Sequence, residues 1–317
     1  MQRLKEIIEN WQISIYFIAI VIAIITALLI PGTSILEQWI NPALAFMLFV
    51  TFLQVPFSDL KQAFGQIRFL IILLIANFIL VPIVVLGLML CLPADIMMRL
   101  GVLLVLLTPC VDYVVTFSHL GGADARLLLV ATPILLIAQM LLLPVYLTLF
   151  LNKNAALLVQ AGPFIHAFVW LIAVPLLFAF LIQLGANRNA TGRQVFSILS
   201  ILPVPATALV LFLVVAAVMP TMGEAMDEVM KVFPVYLLFA IMAPLIGWFF
   251  SRLFKLSVPA SRSIAFSIST RNSLVILPLV FAVPGAIPVL PAIVITQTLV
   301  ELVSELAYIR LLPLMIK

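Results

Sequence analysis

The chain has 317 residues, 66% of them hydrophobic and 9% charged, with a formal net charge of +4 and a mean hydropathy of +1.35. A soluble globular domain is about 45–50% apolar and about 25% charged, so a soluble enzyme, a disordered chain and a secreted disulfide scaffold are excluded. The 16 basic residues set against 12 acidic ones are too few for a nucleic-acid surface, and what remains is a polytopic membrane protein in a lipid bilayer.

A helical span needs about 20 apolar residues. In chain order, apolar runs fall at 12–30, 37–55, 69–92, 96–118, 126–151, 163–185, 197–219, 232–252, 260–284 and 287–309. The first run follows Arg3 and Lys5 as a signal peptide would. It is too long for a signal core and lacks a small-residue cleavage site, so it reads as the first span. Proline and glycine mark many joins, among them Pro31-Gly32, Pro93, Gly121-Gly122 and Pro284-Gly285. Ten spans with a cytoplasmic N-terminus leave Arg99, Lys153 and Lys231 outside and Arg271 within the membrane, with every other basic residue inside. Lys and Arg resist translocation, so the expectation is a multi-pass protein of the plasma (inner) membrane with both termini cytoplasmic.

An internal repeat is legible. Pro42-Ala-Leu-Ala-Phe-Met-Leu-Phe49 and Pro205-Ala-Thr-Ala-Leu-Val-Leu-Phe212 share five residues at an offset of 163. Within a residue or so, the same offset pairs Pro82 with Pro244, Pro56 with Pro220 and Arg99 with Arg262. The expected domains are two five-span repeats, residues 1–155 and 156–317. Repeats with an odd span number lie in opposite orientations, which is a transporter architecture with the substrate near the midplane.

Two spans are interrupted by polar residues. The fourth breaks at Thr108-Pro109-Cys110-Val111-Asp112 and the ninth at Ser267-Ile-Ser-Thr-Arg-Asn-Ser273. Irregular backbone at membrane depth must line a cavity or be buried in protein. Two unwound helices crossing there would aim amides and half-helix dipoles at a ligand. Asp112 and Arg271 each cost about 2.5–3.5 kcal/mol at a span centre, so they are expected to face each other. They form either a structural ion pair or a working one. In the working version Arg271 binds an anionic substrate or replaces a bound sodium ion, and Asp112 titrates. The candidate substrate-binding set is Thr108, Pro109, Cys110, Asp112, Thr270, Arg271, Asn272 and Ser273.

Gln297, Glu301 and Glu305 of the tenth span share one helix face. Glu301 is the deeper acid and a proton-relay candidate, while Glu305 is expected to reach water and Arg310. Cys110 is either a soft-ion ligand or a small buried hydrophobe; Cys91, among Leu and Met, reads as packing. No phosphate loop, zinc spacing or nucleophile elbow occurs, so neither an ATPase nor a membrane hydrolase is indicated and no cofactor is expected.

Thr108-Pro-Cys-Val-Asp112, Phe117-Ser-His-Leu-Gly-Gly-Ala-Asp124, Thr270-Arg-Asn-Ser273 and Val300-Glu301 make the chain resemble the bile acid:sodium symporter superfamily over essentially its whole length. Within it, the chain is most similar to the arsenical-resistance (arsenite) exporters. The resemblance implies an all-α membrane fold of ten helices. These form two inverted five-helix repeats, with panel and core domains and crossed, broken fourth and ninth helices. It also implies that Cys110 is the thiol contacting trivalent arsenic. Where the bile acid branch has an acidic residue and a glutamine for sodium, this chain has Ser267 and Arg271, and a guanidinium there repels sodium. Where the exporters carry a ninth-span glutamate, it has Leu274.

The expected function is thus a secondary transporter working by alternating access. Arsenite-type export with proton rather than sodium coupling comes first, with Asp112, Glu301 and Ser267 as ion-coupling residues. An organic anion carrier using Arg271 as counter-charge and a membrane sensor on a transporter fold are the alternatives. The expected partners are a small-molecule or oxyanion substrate and a second copy of the chain.

Overall fold

The computed structural model describes residues 2–54, 66–111, 113–151, 162, 166, 169–281 and 283–317. Among these residues the regular structure is helical, and the one β-type contact is an isolated antiparallel bridge between Pro109 and Arg271.

The helices in order are α1 (Gln2–Asn10), α2 (Gln12–Leu29), α3 (Glu37–Phe52), α4 (Ile67–Ile75), α5 (Val81–Met89), α6 (Ile96–Leu106), α7 (Val114–Leu120), α8 (Ala125–Phe150), α9 (Val174–Arg188), α10 (Ala190–Leu199), α11 (Pro203–Met222), α12 (Met226–Leu253), α13 (Val258–Ser269), α14 (Ser273–Phe281) and α15 (Val289–Met315). Their starts carry local signals. The side chains of Asp95, Asp124 and Asn189 accept from the amides of Met98, Leu127 and Gly192, capping α6, α8 and α10. Proline opens α5, α9, α11 and α13, where its missing N–H is no loss. A π-helical turn, Ala76–Leu80, joins α4 to α5.

Six helical stretches among the described residues are long and apolar enough to cross a bilayer: Gln12–Leu29, Thr33–Phe52, Ile67–Met89, Ala125–Phe150, Pro203–Leu253 and Val289–Met315. Ile96–Leu106 and Val174–Arg188 are shorter apolar helices. Pro203–Leu253 has 51 residues, more than twice the ~20 a single crossing uses. A 3₁₀ turn at Gly223–Ala225 divides it into α11 and α12.

Two compact units emerge, and each draws on both halves of the sequence: Met1–Val55 with Ala161–Glu224, and Pro56–Gln160 with Ala225–Lys317. In the first, α11 lies against α2, α3 and the Thr33–Leu36 turn, and α9 lies against α3 and α10. Val210, Leu211, Val214 and Ala216 of α11 are buried, whereas Ile18, Val21, Ile22 and Leu28 of α2 are at least half exposed. A face like that would drive association in water; against hydrocarbon it is the ordinary outside of a span. Gln183 of α9 donates to Leu53 O at 3.0 Å, satisfying a carbonyl at the end of α3.

In the second unit α12 packs on α13 and α15, and α15 also on α6 and α14. The Tyr146 hydroxyl donates to Phe78 O at 2.5 Å, and the Tyr308 hydroxyl to Ala240 O at 2.5 Å. Each donor lies 68 residues from its acceptor, and the second bond repeats the first 162 residues on (308 minus 146). Cys91 departs from its expected packing role. It follows α5 in a turn and is exposed, because the apolar run ends in a bend rather than in the core.

Candidate functional site

The fourth and ninth apolar runs are interrupted where their polar residues predicted. Helix α6 stops at Leu106 and helix resumes at Val114; α13 stops at Ser269 and α14 starts at Ser273. Pro109 has no N–H to continue a helical ladder. The Thr108 hydroxyl turns back to Leu104 O and Val105 O, each at 3.0 Å. The two breaks meet main chain to main chain, as Cys110 N–H donates to Thr270 O at 3.1 Å and Asn272 N–H to Thr108 O at 2.8 Å. Thr108 and Thr270 are 162 residues apart, as are Cys110 and Asn272, so the exchange is reciprocal in the register that relates the two tyrosines. Backbone groups that hydrocarbon would leave unpaired are satisfied by the opposite break.

Arg271 is held at both ends. Its backbone N–H donates to Glu301 Oε2 at 2.7 Å. Its guanidinium donates to Asn77 Oδ1 at 3.0 Å, Ser267 O at 2.7 Å and Leu106 O at 3.3 Å. The guanidinium carbon also sits 5.7 Å from the centre of the Phe239 ring, a cation–π distance. The side chain is fully buried, and Nε alone lacks an acceptor. Asn77, in the π-helical turn, completes the cradle by donating to Ser267 Oγ at 3.0 Å and Leu73 O at 3.1 Å. A π-turn displaces one residue from the helical ladder, a device that recurs at functional positions. The acceptors around the guanidinium are all neutral oxygens, and among the described residues no carboxylate oxygen lies within 4.0 Å of it.

Glu301 collects donors. Besides Arg271 N–H it accepts from the Tyr113 hydroxyl at 2.5 Å on Oε1 and from Gln297 Nε2 at 2.5 Å on Oε2. Gln297 Oε1 in turn accepts from the Ser273 hydroxyl. Both breaks and α15 thus converge on one carboxyl group that is 2% exposed. Hydrogen bonds to a charged group contribute about 1.5–3 kcal/mol each. Tyr113→Phe is therefore expected to lower stability by about 2 kcal/mol, read as an earlier unfolding midpoint in detergent, with little change in folded structure.

Glu305 departs from its expected place near Arg310 and water. It is fully buried, bonded to the Thr270 hydroxyl at 2.5 Å, and its Oε2 has no partner. The four-residue spacing puts it on the inward face of α15 with Glu301, and that face stays covered.

Thr108, Pro109, Cys110, Thr270, Arg271, Asn272 and Ser273 are brought together, and all are buried. Ser267 joins through its carbonyl and hydroxyl, which are taken by Arg271 and Asn77. Asp112, and with it the expected Asp112–Arg271 pair, lies outside the described residues. Sequence reasoning missed Asn77, Tyr113 and Phe239. A lone amide in an otherwise apolar run was the available signal for Asn77, since polar groups in spans mark sites. Phe239 and Tyr113 gave none, being ordinary span residues.

The apolar spans, the outward hydrocarbon face and the buried crossing of two broken helices define an integral membrane protein built around a polar centre. The sodium bile acid symporter family matches residues 41–228, more than half of the chain, and the protein belongs to that family of membrane transporters. No curated protein matches it.

Proposed function

We propose that the protein is a secondary transporter that works by alternating access, binds its solute at the crossed breaks, and exports arsenite-type solutes with proton rather than sodium coupling. The observation that carries this reading is the buried guanidinium of Arg271 among Asn77 Oδ1, Ser267 O and Leu106 O. Neutral amide and carbonyl oxygens of that kind are hard-cation ligands, and here they hold a cation that cannot leave. Arg271 is accordingly suited to stand in for sodium, and the protein oxygens bonded to Nη1 and Nη2 leave only Nε without an acceptor for a substrate anion to engage.

Proton coupling is supported by hydrogen counting. The Thr270 hydroxyl has one proton and meets both Phe266 O at 2.7 Å and Glu305 Oε1 at 2.5 Å. Both contacts are satisfied together when Glu305 carries a proton and donates it to Thr270. Glu301 and Glu305 would then be the exchangeable acids, with Asp112 a further candidate. Cys110, 1% exposed inside the break, is the thiol for a soft arsenic centre.

The reading places ten spans in two inverted repeats, residues 1–155 and 156–317, in the plasma membrane with cytoplasmic termini. The 162-residue register of the paired tyrosine and backbone bonds supports it. Everted membrane vesicles test it. Arsenite uptake is expected to follow an imposed pH gradient, to ignore sodium, and to fall at least tenfold in Cys110→Ser. Uptake that needs sodium, or that is unchanged in Cys110→Ser, overturns the coupling or the thiol assignment respectively.

A further inference from the structure

Gln139 of α8 is fully buried, and neither its amide nitrogen nor its amide oxygen has a hydrogen-bond partner. Native interiors satisfy nearly all such groups, and an orphaned one asks for an explanation. Its place in the chain supplies one. In the 162-residue register that relates Thr108 to Thr270 and Tyr146 to Tyr308, Gln139 is the counterpart of Glu301. Glu301 is satisfied by Arg271 N–H, the Tyr113 hydroxyl and the Gln297 amide. The counterparts of those three donors are Pro109, which has no N–H, and Val275 and Leu135, which have no polar side chain. The counterpart of Asn77, which takes up the Arg271 guanidinium, is Phe239. One side of the crossing is therefore saturated by the protein's own groups. At the positions that the register assigns to the other side, those three donors have no counterpart, and the amide of Gln139 is left without a partner.

We propose that Gln139, at the position of α8 that the register pairs with Glu301, anchors a small uncharged hydroxylated solute. The proposal rests on the transporter reading and names the solute class and an anchoring group for it. A primary amide offers one acceptor and two donors. A solute with several hydroxyl groups meets both functions at once, giving an O–H to the amide oxygen and taking an N–H on a hydroxyl oxygen. The charge of the solute follows from what these positions lack. The register replaces the Arg271–Glu301 combination by Pro109 and Gln139, so no residue at these positions offers a counter-charge, and an ion entering would lose its hydration without one. A packing role is the poorer account of Gln139, because a buried amide without partners is destabilising and an apolar side chain of the same size would serve better.

Purified protein in detergent tests the proposal by thermal unfolding with two neutral trihydroxy acids, boric acid and arsenous acid. Arsenate and phosphate are the charged controls. Boric acid isolates the amide contact, because it has no affinity for the Cys110 thiol. The wild type is expected to unfold several degrees higher in either neutral acid and to be indifferent to the anions. Gln139→Leu and Gln139→Met are expected to unfold at or above the wild-type temperature without solute, and to respond at least tenfold more weakly to boric acid. Equal responses in wild type and both variants, no response of the wild type to either neutral acid, or a response to the anions alone overturns the proposal. Flux measurements separate it from the reading beneath it. Boric acid binding that depends on Gln139 without arsenite flux removes the export reading and keeps the site. Arsenite flux with an unchanged KM in Gln139→Leu keeps the export reading and removes the site.

Discussion

Replacing Glu301 by leucine is expected to abolish transport and to lower stability by about 3–5 kcal/mol, the scale for stripping one partner from a buried charged network. Arg271 N–H, the Tyr113 hydroxyl and the Gln297 amide lose their common acceptor at once. None of them can turn to water, since Arg271, Tyr113 and Gln297 are all buried. Glu301→Gln separates structure from function. Its amide oxygen can still accept from Arg271 N–H and Gln297, and its amide nitrogen can donate to the Tyr113 oxygen. The expected loss is therefore only about 1–2 kcal/mol, while the acid proposed for proton exchange is gone. Denaturation in detergent beside pH-driven flux reads the two effects separately. A Glu301→Gln protein that transports with the wild-type pH response would remove Glu301 from coupling.

Arg271→Met is the second large effect, again about 3–5 kcal/mol. Asn77 Oδ1, Ser267 O and Leu106 O would be left facing a thioether in a fully buried place. Methionine keeps most of the volume, so the loss reports on the acceptors and the charge rather than on a cavity. Arg271→Gln carries the sharper consequence. It withdraws the fixed cation and leaves the neutral oxygens in position, so the variant is expected to be stabilised by sodium chloride over potassium chloride, a preference the wild type lacks. Equal behaviour of the two salts with the variant would mean that the cradle is shaped for a guanidinium alone.

Much of the site was legible because membrane interiors make polarity conspicuous. Both breaks were located from Pro109 and from the Ser267–Ser273 cluster, and the structure places helix ends at both. Arg271 was marked by its charge alone. Its partners were not legible. An arginine is expected to seek a carboxylate, and this one sends its side chain to Asn77 and two carbonyls while only its backbone N–H goes to Glu301. Side-chain direction at an unwound turn depends on how two distant segments cross, which no local pattern records. Glu305 was misplaced for a related reason. Chain position suggested a membrane edge, but the Thr270 hydroxyl, 35 residues away, draws it into the interior. The expected repeat rests on residues near an offset of 163, and the paired tyrosine bonds fall 162 residues apart.

The reciprocal pair of main-chain bonds between the two breaks has a mechanical meaning. Thr108, Cys110, Thr270 and Asn272 are sewn together through main-chain atoms, so among single substitutions only a proline at position 110 or 272 removes a stitch outright. Neither strand of it can slide past the other without losing both stitches together. The hub should hold its shape through a transport cycle, leaving the doorways on either side to swing about it.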